Sequence, residues 1–112
     1  MQGVVFLGDS QLKLQEFPDP DPGPGQVVVR MRASGLCGSD LKPYRSSAAE
    51  LAERTSLICG HEPCGVVEEV GVGTRNVRRG DRVMVHHYSG CGRCNHCKTG
   101  WAQLCQNGMT LY

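Results

Sequence analysis

The sequence predicts a mostly β protein with short helices and a cysteine-rich lobe, and three observations predict it. Glycine (15) and proline (6) are frequent in 112 residues while aromatic residues make up 5%. That composition favours short strands, tight turns and irregular loops over long helices. Several segments alternate apolar and polar side chains with period two, the pattern of a half-buried strand. From Ser89 onward periodicity disappears and cysteine becomes abundant, so something other than an apolar core must hold that part of the chain.

The elements follow in order. Residues 4–7 read as a first strand, and residues 11–17, with Leu12 and Leu14 apolar, as a second. Residues 18–25 alternate proline with aspartate and glycine; missing donors and backbone freedom make them a connecting loop. Residues 26–33 carry the strongest strand pattern, with Val27, Val29 and Met31 on one side and Val28, Arg30 and Arg32 on the other. Residues 34–44 form a turn with one helical turn near Asp40. Residues 46–54 combine helix formers with a serine cap candidate and read either as a short helix or as a mobile loop. A strand over 65–70, a turn over 78–81 and a strand over 82–86 complete the periodic part. There is no internal repeat, no low-complexity tract and room for one modest core.

Composition also narrows function. The formal net charge is +1 and Lys and Arg are dispersed, so no basic block points to nucleic acid or anionic lipid. No apolar run approaches the roughly 20 residues of a membrane span, and the N-terminus is polar again by Asp9, unlike a secretory signal. A cytoplasmic location is expected. In that compartment thiols stay reduced, and four of the seven cysteines fall between Cys91 and Cys105, which argues for metal. A disulfide framework is the rival reading; it lacks an export signal and leaves one thiol over.

Cys91, Cys94 and Cys97 each follow the last by three positions, and Cys105 returns after seven intervening residues. Two-residue spacers let consecutive sulfurs turn onto one point, and thiolates at about 2.3 Å suit tetrahedral zinc. Gly90 and Gly92 permit the tight backbone. Four sulfurs leave no open position, so the expected role is structural, with His96 not needed as a ligand. Four thiolates and one zinc together carry −2 and take the formal +1 to −1, with Arg93 and Lys98 in the loop to offset it. The spacing also serves iron–sulfur clusters.

A second group comprises Cys37 in Gly35-Leu-Cys-Gly-Ser-Asp40 and His61 with Glu62 in Gly60-His-Glu-Pro-Cys-Gly65. Cys, His and Glu at long separation are the ligand types of a catalytic zinc site. Singly, each has a plainer reading: a buried small hydrophobe, a satisfied core histidine, an exposed charge. Beside a second metal candidate they outweigh it. Cys59 and Cys64, flanking this segment, read as packing residues or as adventitious donors.

These residues resemble the zinc-dependent medium-chain dehydrogenases, relatives of alcohol, sorbitol and threonine dehydrogenases. The resemblance rests on Cys37-Gly-Ser39-Asp40, on Gly60-His61-Glu62-Pro-Cys-Gly65 with Gly71, on the four-cysteine loop and on Gly80-Asp-Arg-Val83, in the family's order over essentially the whole chain. It implies a GroES-like, partly open β-barrel, with residues 1–112 the N-terminal part of a catalytic domain and 88–106 a structural zinc loop within it. It implies Cys37 and His61 as catalytic-zinc ligands, and Glu62 either as their neighbour or as an alternate ligand exchanging with water or substrate. It places Asp40 to accept the other ring N–H of His61 and Ser39 to take the alcohol proton. Zinc then polarises the substrate oxygen, and hydride passes from an alcohol or polyol to NAD or NADP.

The sequence departs from the family's pattern in places. The remaining protein ligand to the catalytic zinc is expected from a segment after Tyr112, and Lys42 stands where some relatives continue the proton relay with histidine. Gly71-Val-Gly73 lacks the third glycine of a dinucleotide fingerprint and reads as a turn, so the Rossmann domain is expected beyond residue 112, with no cofactor-binding residue here. A homo-oligomer, dimer or tetramer, is expected of the whole protein, and exposed apolar strand edges of this part. The rival from another class is a zinc-stapled binding module. A zinc ribbon leaves Cys37 and His61 unexplained, a chaperonin-10-like barrel explains neither zinc site, and a zinc-free quinone reductase relative needs no ligands. Tyr44, Tyr88 and Trp101 are too scattered for stacking on nucleic acid.

Overall fold

A computed structural model describes residues 1–52 and 58–110. Among the described residues strands dominate, arranged as three small antiparallel sheets that do not close into a barrel. Strands β1 (Gln2–Gly8) and β2 (Gln11–Glu16) form a hairpin. Its turn places Asp9 and Ser10 at φ of 50° and 60°, the left-handed pair whose twist suits a two-residue hairpin. The turn is tied down at both ends: Asp9 N–H donates to Ser46 O and Ser10 N–H to Tyr44 O.

The central sheet has the order β3–β4–β5: β3 (Val27–Gly35), β4 (Glu62–Val70) and β5 (Arg82–Met84). Two strands run longer than their periodicity suggests. β3 continues to Gly35 and β4 begins at Glu62, because the two pair from Val27↔Val70 to Gly35↔Glu62. Pro63 and Cys64 carry no strand signal of their own and are drawn in by the partner. β5 is shorter than the expected 82–86. Its last rung is Cys64↔Met84; past it the partner is Pro63, which accepts from Val85 N–H but has no N–H to return. A third pair, β6 (Tyr88–Ser89) with β7 (Met109–Thr110), brackets the cysteine loop.

The helices are short. A 3-10 turn over Gly38–Asp40 runs into α1 (Leu41–Arg45). α2 (Ala48–Ala52) is opened by a capping box in which Ser47 Oγ accepts from Glu50 N–H and Glu50 Oε2 accepts from Ser47 N–H. The serine cap expected in this segment is thus Ser47; the rest of the expected helix, residues 53 and 54, lies outside the described residues. α3 (Asn95–Lys98) and a 3-10 turn (Ala102–Leu104) shape the cysteine loop. No helix among the described residues is long and apolar enough to cross a membrane.

Among the described residues the apolar core is thin: Val5 and Val67 are its buried members, while Leu12, Leu14, Met31 and Met84 remain exposed. The exposed apolar edges expected from the sequence are present on β2, β3 and β5.

Candidate metal centres

Cys91, Cys94, Cys97 and Cys105 converge, with all four sulfurs within 4.8 Å of one another and each residue half-buried. Local structure does this. Cys91 leaves β6, Cys94 caps α3 with an extended backbone, Cys97 lies one turn into α3, and Cys105 ends the second 3-10 turn. Gly92 takes φ of 71° in the tight return, and a side chain at Gly90 would stand 2.7 Å from Cys97 Sγ. The Cys94 and Cys105 sulfurs lie 3.8 Å apart, the edge of a tetrahedron whose centre is about 2.3 Å from each vertex. The donor set therefore fits one zinc ion.

Backbone donors prepare the thiolates. Cys94 N–H points at Cys91 Sγ and Cys91 N–H at Cys105 Sγ, each at 3.4 Å. The Arg93 and Cys94 amides bring the Cys91 thiol down to about 6, and the Cys91 amide lowers Cys105. Burial pushes Cys97 up to about 12. Four crowded sulfurs thus keep a proton that a cation would displace. His96 sits exposed on α3 and is not one of the four.

The second cluster joins Cys37, His61 and Glu62, whose donor atoms also lie within 4.8 Å of one another. Residues 37 and 61 meet because β3 and β4 pair up to Gly35↔Glu62, which sets the exit of one strand beside the entry of the other. Gly60 makes the final turn at φ of 98°, a conformation costly for any residue with a side chain. Asp40 ties the two donors together: Oδ2 accepts from Cys37 N–H at 2.8 Å and Oδ1 lies 3.1 Å from His61 Nδ1. Asp40 and His61 are both buried. A carboxylate only accepts, so Nδ1 carries the proton and Nε2 keeps its lone pair for a cation.

The electrostatics favour charge separation. The Ser39 amide and hydroxyl lower the Cys37 thiol, with His61 assisting. Burial alone pulls His61 down, but Cys37 and Asp40 outweigh it and hold it above its ordinary value. Ser39 Oγ lies 3.4 Å from His61 Nε2, beside the position a cation would take. Soft sulfur, imidazole and carboxylate suit zinc as a donor set. Cys59 and Cys64 are half-buried and belong to neither cluster; burial raises the Cys59 thiol. Lys42 stands exposed on α1.

Sequence reasoning overlooked His87. Its ring meets that of His61 edge-on, centroids 5.0 Å apart, with His86 stacked behind it at 5.4 Å and Tyr88 at 4.2 Å. The only signal was three consecutive ring residues after a strand. Nothing local says that the segment returns to residue 61.

The sequence pattern of the alcohol dehydrogenase GroES-like domain matches residues 23–111. An uncharacterized zinc-type alcohol dehydrogenase-like protein, YphC, of Escherichia coli K12 is 41% identical over 111 residues, covering 94% of this chain and 31% of the relative. An alcohol dehydrogenase of a Moraxella species is 41% identical over 105 residues, covering 93% of this chain and 31% of the relative. Among solved structures, a cobalt- and zinc-bound thermostable alcohol dehydrogenase from Pyrobaculum aerophilum superposes with a TM-score of 0.79 at 40% identity, over 96% of this chain and 32% of that one. The chain thus spans about a third of the length of the relatives it matches.

Proposed function

The chain belongs to the alcohol dehydrogenase GroES-like domain family, and from that premise we propose that it is the zinc-holding N-terminal part of a dehydrogenase that oxidises an alcohol or polyol with hydride transfer to NAD or NADP. The observation that carries this reading is the Cys37–His61–Glu62 cluster with Asp40 bridging its first two members. Residues 88–106 form the structural zinc loop, and the cofactor domain belongs to the remaining length that the relatives possess. The protein acts in the cytoplasm as a homo-oligomer, dimer or tetramer, on a small-molecule alcohol.

Each residue has a part. Cys37 and His61 hold the catalytic ion, and Glu62 is the carboxylate within reach to share it. Zinc held there supplies Lewis-acid polarisation of a substrate oxygen and lowers the pKa of its proton. Ser39, beside His61 Nε2, is placed to receive that proton. Asp40 keeps His61 in the tautomer whose proton sits on Nδ1 and fixes the Cys37 backbone in the same grip. His87 packs its ring edge-on against His61. Bound nicotinamide supplies the hydride acceptor.

Zinc per chain, measured by elemental analysis on protein purified without added metal or chelator, tests the proposal. Two equivalents are expected, one lost in Cys37→Ser and the other in Cys94→Ser, together with alcohol-dependent reduction of NAD or NADP. Iron in place of zinc overturns the metal assignment. Zinc without turnover on any alcohol or polyol identifies a zinc-stapled binding module instead.

A further inference from the structure

We propose that Gly35 is a positioning residue of the Cys37–His61–Glu62 centre, its missing side chain being the slot that holds the Glu62 carboxylate within reach of the ion. The proposal rests on the zinc reading of that cluster. Gly35 ends β3 opposite Glu62 at the start of β4. Its φ is not among the left-handed ones of this chain, so backbone conformation does not explain a glycine here. Space does. A side-chain carbon built at Gly35 would overlap Glu62 Oε2 and come within 3.2 Å of Glu62 Cβ and 3.4 Å of Cδ.

Glu62 is otherwise exposed to solvent, where a long carboxylate side chain is free to sample many rotamers. The bare backbone of Gly35, two residues before Cys37, lets the carboxylate lie flat against β3. From there one of its oxygens stays within 4.8 Å of the Cys37 and His61 donors. A methyl group at 35 would turn the carboxylate out toward water. The fold itself should accept alanine, which in a strand with ordinary φ costs less order than glycine.

Zinc release to a chromophoric chelator, followed in the zinc-loaded protein, tests this. The kinetic phase that Cys37→Ser removes reports this centre, and the remaining phase reports the four-cysteine site and controls for folding. Gly35→Ala and Glu62→Ala are each expected to speed the first phase about tenfold. The double variant should be no faster than either single one, since both act through one carboxylate. Gly35→Ala combined with Glu62→Asp, whose carboxylate reaches one methylene less far, should release more slowly than Gly35→Ala alone. The four-cysteine phase should keep its rate throughout. A wild-type rate in Gly35→Ala overturns the role of Gly35, as does a double variant whose acceleration is the product of the two singles. A four-cysteine phase that also accelerates overturns it too, because Gly35 then acts on the fold at large. If wild type shows no phase that Cys37→Ser removes, the zinc reading falls and this inference with it.

Discussion

Asp40 and His61 are buried against each other with Oδ1 3.1 Å from Nδ1, while the other carboxylate oxygen of Asp40 accepts the backbone N–H of Cys37. One carboxylate thus orients two residues that stand 24 positions apart in the chain. Asp40→Asn keeps the shape but removes the charge and half the acceptor capacity. It should weaken zinc at the Cys37 site by about 10- to 100-fold, as measured by competition with a chelator. The four-cysteine site should be untouched. Wild-type affinity would reduce Asp40 to a packing residue.

Cys94→Ser should remove one zinc per chain and with it the metal-dependent part of folding. With Val5 and Val67 the buried apolar core among the described residues, the loop from Cys91 to Cys105 has little but its metal to hold it, and in such loops metal binding free energy is folding free energy. Thermal unfolding with and without chelator measures this. Identical melting curves for wild type and variant would count against a structural ion.

The affinity of the four-cysteine site should fall with falling pH, more steeply below about 6. The sign follows from the thiols. Zinc binds thiolates, so each thiol still protonated in the metal-free chain gives up a proton on binding. Cys91, lowered to about 6 by the Arg93 and Cys94 amides, is already a thiolate above that pH and adds nothing to the slope. Below it, Cys91 adds one proton. Cys97, raised to about 12, contributes a proton at every accessible pH. Zinc affinity followed across pH 5 to 8 in a competition assay should show a slope of log affinity against pH that grows by about one as pH drops through 6. A constant slope would rule out the amide-stabilised thiolate.

His61→Ala should reduce alcohol-dependent cofactor reduction to background and lose one zinc. It should also destabilise the fold, since it leaves the Asp40 carboxylate buried without its imidazole partner. Paired measurement of turnover and chemical unfolding checks both halves. Retained turnover would sink the catalytic assignment.

His87→Ala should change KM more than kcat, because its ring packs on His61 without holding the ion. The ring stands beside His61 without being one of the clustered donors, so zinc content should stay at the wild-type value. Steady-state kinetics with elemental analysis checks the split.

The four-cysteine loop was legible from residue spacing because its contacts are local. Two-residue spacers hold the sulfurs of Cys91, Cys94 and Cys97 near one another, and Gly90 and Gly92 permit the tight backbone that turns them onto one point. The first two strands, the strand of β3, the helical turn near Asp40 and the serine cap were legible for the same reason: period, capping and turn chemistry are properties of neighbouring residues.

The pairing of those pieces was not local. Period two marks a strand but names no partner, so the extension of β4 back to Glu62 and the halt of β5 at Met84 emerged only from the register with Pro63 between them. That same register carries Cys37 to His61 and Glu62, and leaves Gly35 facing a carboxylate. The return of His87 onto His61 likewise depends on where β5 ends. By itself the sequence determined which residues could bind metal and the local shape around each. Tertiary structure decided which of them meet, because backbone hydrogen bonds between distant strands, rather than any feature of one segment, set the distances at the second centre.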